Sequence, residues 1–285
     1  MSEILIFMLP PFVACIAILS IHAYLGIHVL EREIIFVDLA LAQIAALGTT
    51  VGFLLGIHVE DSLSFVFSFG FVFFGAAIFA LTRMRHQTIP QEAIIGIVYA
   101  VATAGAILVA DRAPGGAEHI KEILMGSILW ITWPTILKIM VVYFLVAGFH
   151  WALRKKFLII TEDYEQAVLE QGLRVKLWDF LFYISFGIVI VMSVRVAGIM
   201  LVFSFLVVPA AVSMIFSKKW LTKLMIGWVV GLFASILGLY TSYALDFPSG
   251  PTIVCFLGIS LVLAGFIKTV WIRKNRVVSS ASLKV

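Results

Sequence analysis

His22, Asp38 and Gln43 are polar side chains set inside the first two of a series of long apolar stretches. Ionisable and amide groups at membrane depth are costly, and by default they mark ion and substrate pathways. His22 lies roughly 9 Å inside one end of its stretch, and Asp38 roughly 6 Å inside the same face on the next, at 1.5 Å of rise per helical residue. The depths let His22 and Asp38 meet across adjacent antiparallel helices, with Gln43 deeper on the second. Each also has a structural explanation. His22 can be a core histidine bonded to a neighbouring helix, Asp38 a carboxylate held by Arg32 or by backbone groups, and Gln43 an interhelical hydrogen-bonding amide. Pro209 stands in the middle of VFSFLVVPAAVSMIF. A proline there frees a backbone carbonyl and kinks or breaks the helix, and broken spans often line transport paths. A simple structural kink is the alternative.

The familiar catalytic signatures are missing. The sequence has no G-x-x-x-x-G-K-[ST], no H-E-x-x-H and no G-x-S-x-G, so ATP binding by a P-loop and the common metalloprotease and serine hydrolase chemistries lose support. Cys15 and Cys255 both lie in apolar stretches and offer neither a disulfide framework nor zinc-ligand spacing.

Nine apolar stretches position these residues, over about 4–28, 35–57, 64–82, 92–111, 133–152, 177–195, 198–216, 221–244 and 251–270, each near the ~20 residues that cross a bilayer. Only 13% of the 285 residues are charged and 62% are hydrophobic, against nearer 25% charged in soluble domains. The fold class is therefore all-α, a polytopic membrane protein of eight or nine transmembrane helices forming one transmembrane domain over 1–285. The start, MSEILIFMLPP, has no basic segment and no cleavage site, and reads as the beginning of the first span. With nine spans, 16 of the 20 Lys and Arg fall on one face, only Arg112, Lys121 and Arg195 fall on the other, and Lys138 lies within a span. The rich face is cytoplasmic by the positive-inside rule. The net charge of +4 is thus a topology signal, and no nucleic-acid partner is expected. The joint Val194–Gly198 decides the count: if it dips without crossing, eight spans remain.

Two loops are long. The outer one, over 111–131, opens with the turn-rich Asp111-Arg112-Ala113-Pro114-Gly115-Gly116 and continues as a short amphipathic or re-entrant helix. The inner one, over 154–176, contains TEDYEQAVLEQG, which reads as a capped cytoplasmic helix over 161–172. Thr161 is its N-cap, Asp163 and Glu165 favour its positive end, Ala167 adds apolar surface, and Gly172 ends it. Such a helix can dock a soluble partner and transmit its motion; an ordinary amphipathic loop on the membrane is the alternative.

Four stretches in order, PQEAIIGIVYAVATAGAILVAD (90–111), DYEQAVLEQG (163–172), RVAGIMLVFSFLVVPAAVSMIF (195–216) and SYALDFPSGPTIV (242–254), carry a resemblance, with LMGSILWIT (124–132) as a weaker fifth. The chain resembles the permease subunit of bacterial ABC importers for zinc, manganese and iron, along nearly its whole length. The resemblance implies a multi-pass protein of the bacterial cytoplasmic (inner) membrane, paired as a homodimer or with a similar permease around a central path. It implies a separate cytoplasmic ABC ATPase docked on 161–172, an extracytoplasmic metal-binding protein, and no cofactor in this chain beyond a transported divalent metal ion.

The second span departs from the family. Its members typically carry Asp and His four residues apart on one helical face, in a pattern like Gly-Asp-x-x-x-His. Aligned through Arg32 and Gly48, Leu39 falls at the Asp position and Gln43 at the His position. Asp38 is one residue early, about 100° around the helix. Either His22 and Asp38 from two subunits form a replacement site, or the cargo is a metal chelate or another small solute. A secondary transporter driven by an ion gradient is a rival, weakened because Asp38 is essentially the lone intramembrane acid. A membrane enzyme or assembly factor would need a polar catalytic cluster, which the sequence lacks.

Overall fold

A computed structural model of the protein describes residues 2–58, 61–83, 89–126, 128–162, 167 and 174–282. The helices are α1 (Ser2–Glu31), α2 (Val37–Leu54), α3 (Ser62–Thr82), α4 (Gln91–Ala110), α5 (Gly116–Met125), α6 (Trp133–Ala152), α7 (Arg154–Glu162), α8 (Val175–Phe216), α9 (Trp220–Leu245) and α10 (Ser249–Ser282). Among the described residues eight helices are long and apolar enough to cross a membrane: α1 to α4, α6, and α8 to α10. Their outward apolar side chains, such as Phe144, Leu221 and Val262, are exposed, as a lipid environment allows.

The longest helix carries the chain across and back. With 42 residues, α8 would extend roughly 63 Å if straight, about twice a ~30 Å hydrocarbon core. It breaks at Gly198, whose φ of 76° and ψ of 160° are non-helical. Near its start, Asp179 pairs with Arg32 and Arg83 at the ends of α1 and α3. Near its end, the Ile215 carbonyl accepts a hydrogen bond from Lys268, late in α10. Both ends therefore share the basic face. Gly198 itself meets Met125 and Gly126 at the end of α5, on the opposite face. The described residues thus make nine crossings, and the joint at Val194–Gly198 is a reversal.

Glycines allow this reversal. A Cβ on Gly198 would collide with the Met125 backbone, and one on Gly126 with the backbone of Ala197 and Gly198. The Gly126 φ of 67° also ends α5. The expected break at Pro209 is not present: within α8 the non-helical backbone is at Gly198. Pro209 is buried and faces Gly227 of α9, which lacks a side chain and so lets the two helices approach.

Around this hairpin, α1 packs on α6, α8 and α9, while α2 packs on α3, α4 and α8. The core holds Phe79, Phe157, Phe182, Tyr183, Phe186 and Phe205, all fully buried.

Candidate translocation path and cytoplasmic coupling site

Helix α2 is buried along most of its length, and its more open positions form one stripe. Leu39, Leu47 and Val51 are half-buried there, and Gln43, between them at the i, i+4 spacing that shares a helical face, is buried. The more open face of α2 is thus the face of Leu39, Leu47 and Val51, with Gln43 buried within it. Asp38 points elsewhere. It is 1% exposed, and neither carboxylate oxygen has a hydrogen-bond partner among the described residues. Its place in the first turn of α2 gives it the helix dipole as its compensation. Arg32, the expected counter-ion, is engaged by other groups.

His22 is completely buried between α1, α6 and α8. Its Nδ1–H donates to the Ile18 carbonyl at 2.8 Å, and Nε2 lies 3.4 Å from the Ser193 hydroxyl. Ser193 also bonds the Tyr143 hydroxyl at 2.5 Å. His22 is therefore satisfied within the core by Ile18 and Ser193, and Asp38 is not among its partners. Among the described residues no group of three His, Cys, Asp or Glu could hold a metal ion.

The densest polar cluster lies at the basic face, where sequence reasoning did not look. Arg32, whose side chain is 1% exposed, donates from Nε to Thr161 Oγ1 at 2.8 Å, from Nη1 to Asp179 Oδ1 at 3.1 Å, and from Nη2 to the Phe157 carbonyl at 3.4 Å. Its guanidinium stacks 4.1 Å over the Phe182 ring. Arg83 reaches the same Asp179 oxygen at 2.8 Å. The Thr161 hydroxyl donates to the Phe157 carbonyl at 2.7 Å, so His28 Nδ1, 2.8 Å away, is a donor to it. One knot thereby joins the ends of α1 and α3, the start of α8, and α7. Close by, Trp220 donates to Glu162 at 2.8 Å, and Lys223 pairs with Glu31, which adds the start of α9.

This knot corrects the sequence reading of Thr161. Thr161 sits in the last turn of α7 rather than at a helix start, because Arg154–Ile160 form a helix of their own and its buried hydroxyl binds His28, Arg32 and Phe157 instead of capping. Asp163, Glu165 and Gly172 lie outside the described residues. Ala167 is helical and fully buried, packed with Ile160 and Val175 and flanked by Trp178, so its methyl faces inward.

A sequence profile described as the ABC 3 transport family matches residues 5–268. The chain belongs to the ABC 3 transport family. It is 29% identical over 259 residues to a Chlamydia pneumoniae protein named as a probable metal transport system membrane protein, covering 90% of this chain and 87% of that one. It is 28% identical to a manganese transport system membrane protein of Listeria monocytogenes, over 71% of this chain and 74% of the relative. Its fold is similar to a chain of PsaBC from Streptococcus pneumoniae, with a TM-score of 0.75, 21% identity, and 90% of each chain covered.

This ABC 3 family chain is accordingly a multi-pass permease of the bacterial inner membrane, a transport component and not an enzyme. The more open face of α2 carries Leu39 and, buried within it, Gln43. Sequence reasoning missed Asp179 as a site residue. Its signal was an acid flanked by apolar residues in KLWDFLF, opposite the arginines at two other span ends.

Proposed function

We propose that this chain is the permease of an ATP-driven importer for divalent metal ions: zinc, manganese or iron. The observation that carries the reading is the family match over residues 5–268, joined to relatives named for metal transport that the chain covers to 87% and 74% of their lengths. In this reading a homodimer or a pair of similar permeases encloses the path. An extracytoplasmic metal-binding protein delivers cargo, and a separate cytoplasmic ABC ATPase docks on 161–172, a coupling helix within one transmembrane domain spanning 1–285.

The knot around Arg32 supports the coupling role. The segment 161–172 starts at Thr161, where three crossing helices converge, and returns to α8 beside Val175 and Asp179. A displacement of the segment by a closing ATPase would pull directly on α1, α3 and α8. Buried ion pairs transmit such a pull because separating them leaves an uncompensated charge.

A second reading, in which the cargo is a metal chelate or other small solute, is favoured by Leu39 and Gln43 on the open face of α2. An aliphatic and an amide side chain are poor partners for a bare zinc or manganese ion. The test is uptake by proteoliposomes holding the complete complex. ATP-dependent accumulation of radioactive manganese or zinc, supplied on the binding protein, supports the first reading. Absence of bare-metal uptake with uptake of a chelated metal would support the second.

A further inference from the structure

A groove of about 790 Å³ opens sideways between α1, α6 and α9. Its floor is a single face of α1 running from Val13 to Ile27, with small residues at Ala17 and Ser20. One wall follows α6 from Met140 to Trp151 and continues to Arg154 at the start of α7, again with a small residue at Ala147. Each run is 15 residues, roughly 21 Å from first to last, longer than the ~15 Å depth of one leaflet in a ~30 Å core. The volume lies within the ~300–1,000 Å³ of small-ligand sites. The groove is apolar along its length and turns polar at the basic face.

The charges at that end are unequally matched. Glu31 is taken by Lys223, and Glu162 by the Trp220 indole. Arg154 lines the groove and is exposed, and it stacks 5.1 Å from the Trp151 ring without an ion pair among the described residues. Lys155 stands exposed beside it in the chain, and Lys219 is exposed next to Trp220. Trp151 and Trp220 flank the same end, the level at which tryptophans meet lipid headgroups, and Trp228 lies further along the groove, donating to the Ser20 carbonyl. An apolar channel closed by a guanidinium with no ion pair among the described residues is complementary to one class of ligand, an acyl chain that ends in an anionic headgroup.

We propose that this groove holds one acyl chain of an anionic phospholipid from the cytoplasmic leaflet, with the lipid phosphate on the Arg154 guanidinium. Arg154 opens α7 and Leu158 lines the groove, so the lipid braces the helix whose far end is Thr161. Anionic lipid then stiffens the junction through which the segment 161–172 meets the spans.

The test is native mass spectrometry of the full chain released from nanodiscs of phosphatidylcholine and phosphatidylglycerol in equal amounts. One phosphatidylglycerol per chain is expected to be retained about five-fold over phosphatidylcholine, the ratio for one basic side chain at the membrane surface. Arg154→Ala is expected to erase that preference, Arg154→Lys to keep most of it, and Ala147→Phe to expel lipid of both kinds by filling the groove. Equal retention of the two lipids by the wild type, or an undiminished preference in Arg154→Ala, overturns the proposal. So does displacement of the lipid by millimolar inorganic phosphate, which would mean an anion site without a chain. Disulfide capture of Phe144→Cys by a second copy in the same nanodiscs would overturn it too, since the groove would then be a subunit interface.

Discussion

At the scale of single residues, the account turns on one carboxylate oxygen that holds two guanidinium groups. Asp179 is fully buried and meets Arg32 at 3.1 Å and Arg83 at 2.8 Å. Breaking a buried pair costs about 3–5 kcal/mol, because the abandoned charge stays buried. Asp179→Ala is therefore expected to lower the detergent-solubilised unfolding temperature by several degrees and to depress transport. Arg32→Ala should do the same while also freeing Thr161. An unfolding temperature for Asp179→Ala within a degree of wild type would refute the knot. A second prediction concerns the open face of α2. The double substitution Leu39→Asp with Gln43→His puts a carboxylate and an imidazole one turn apart on that face, and should create divalent metal binding that calorimetry detects. No heat of binding would mean that the stripe of Leu39, Gln43, Leu47 and Val51 does not face a path. The sequence made the polar residues of α1 and α2 conspicuous, but not their partners. His22 finds Ser193 and Tyr143 across 171 and 121 positions of chain, and Arg32 passes over Asp38 for Asp179. Such pairings depend on which helices pack together, and apolar periodicity inside a membrane carries little of that information.

At the scale of elements, Gly198 makes the hairpin of α8. A side chain there meets both a positive φ of 76° and the Met125 backbone. Backbone strain alone costs about 1–3 kcal/mol, and the collision adds to it. Gly198→Ala should sharply reduce the yield of folded protein in membranes, while Gly148→Ala, where a Cβ would meet nothing within 4 Å, should leave it unchanged. Equal yields from the two variants would contradict the close junction of α5 and α8. On the proposed coupling helix, Gly172→Pro or Glu165→Lys should abolish co-purification of the ATPase without unfolding the spans, and retained co-purification would remove the docking role. The spans themselves were legible. The stretch 133–152 coincides with α6, and 35–57 contains α2 with short overhangs. Thr161 was not, because Thr-Glu-Asp at a polar junction has the local pattern of a helix cap. Burial against His28 and Arg32 overrode that pattern. Pro209 likewise looked like the breaking point of its span, whereas the positive φ fell at Gly198, which the sequence marked only as a short polar joint.

At the scale of the whole molecule, the reversal at Gly198 fixes the sidedness. Cysteines introduced singly at Ser217 and Ser249 should be labelled by a membrane-impermeant reagent from opposite faces, Ser217 from the basic side. Labelling of Ser249 from the basic side and of Ser217 from the other would return α8 to a single crossing. The uneven distribution of Lys and Arg carried this topology in the sequence, since 16 of 20 fall on one side only if the joint crosses. Cargo is less legible, because Leu39 and Gln43 stand where the resemblance would place paired ligands. The most direct measurement is elemental analysis of cells that express the chain with its ATPase and binding protein, beside cells expressing Asp179→Ala at equal membrane levels. The account predicts that zinc, manganese or iron rises above the empty-vector level in the first and stays near it in the second. Unchanged content of all three metals in cells with the intact complex would contradict metal-ion import.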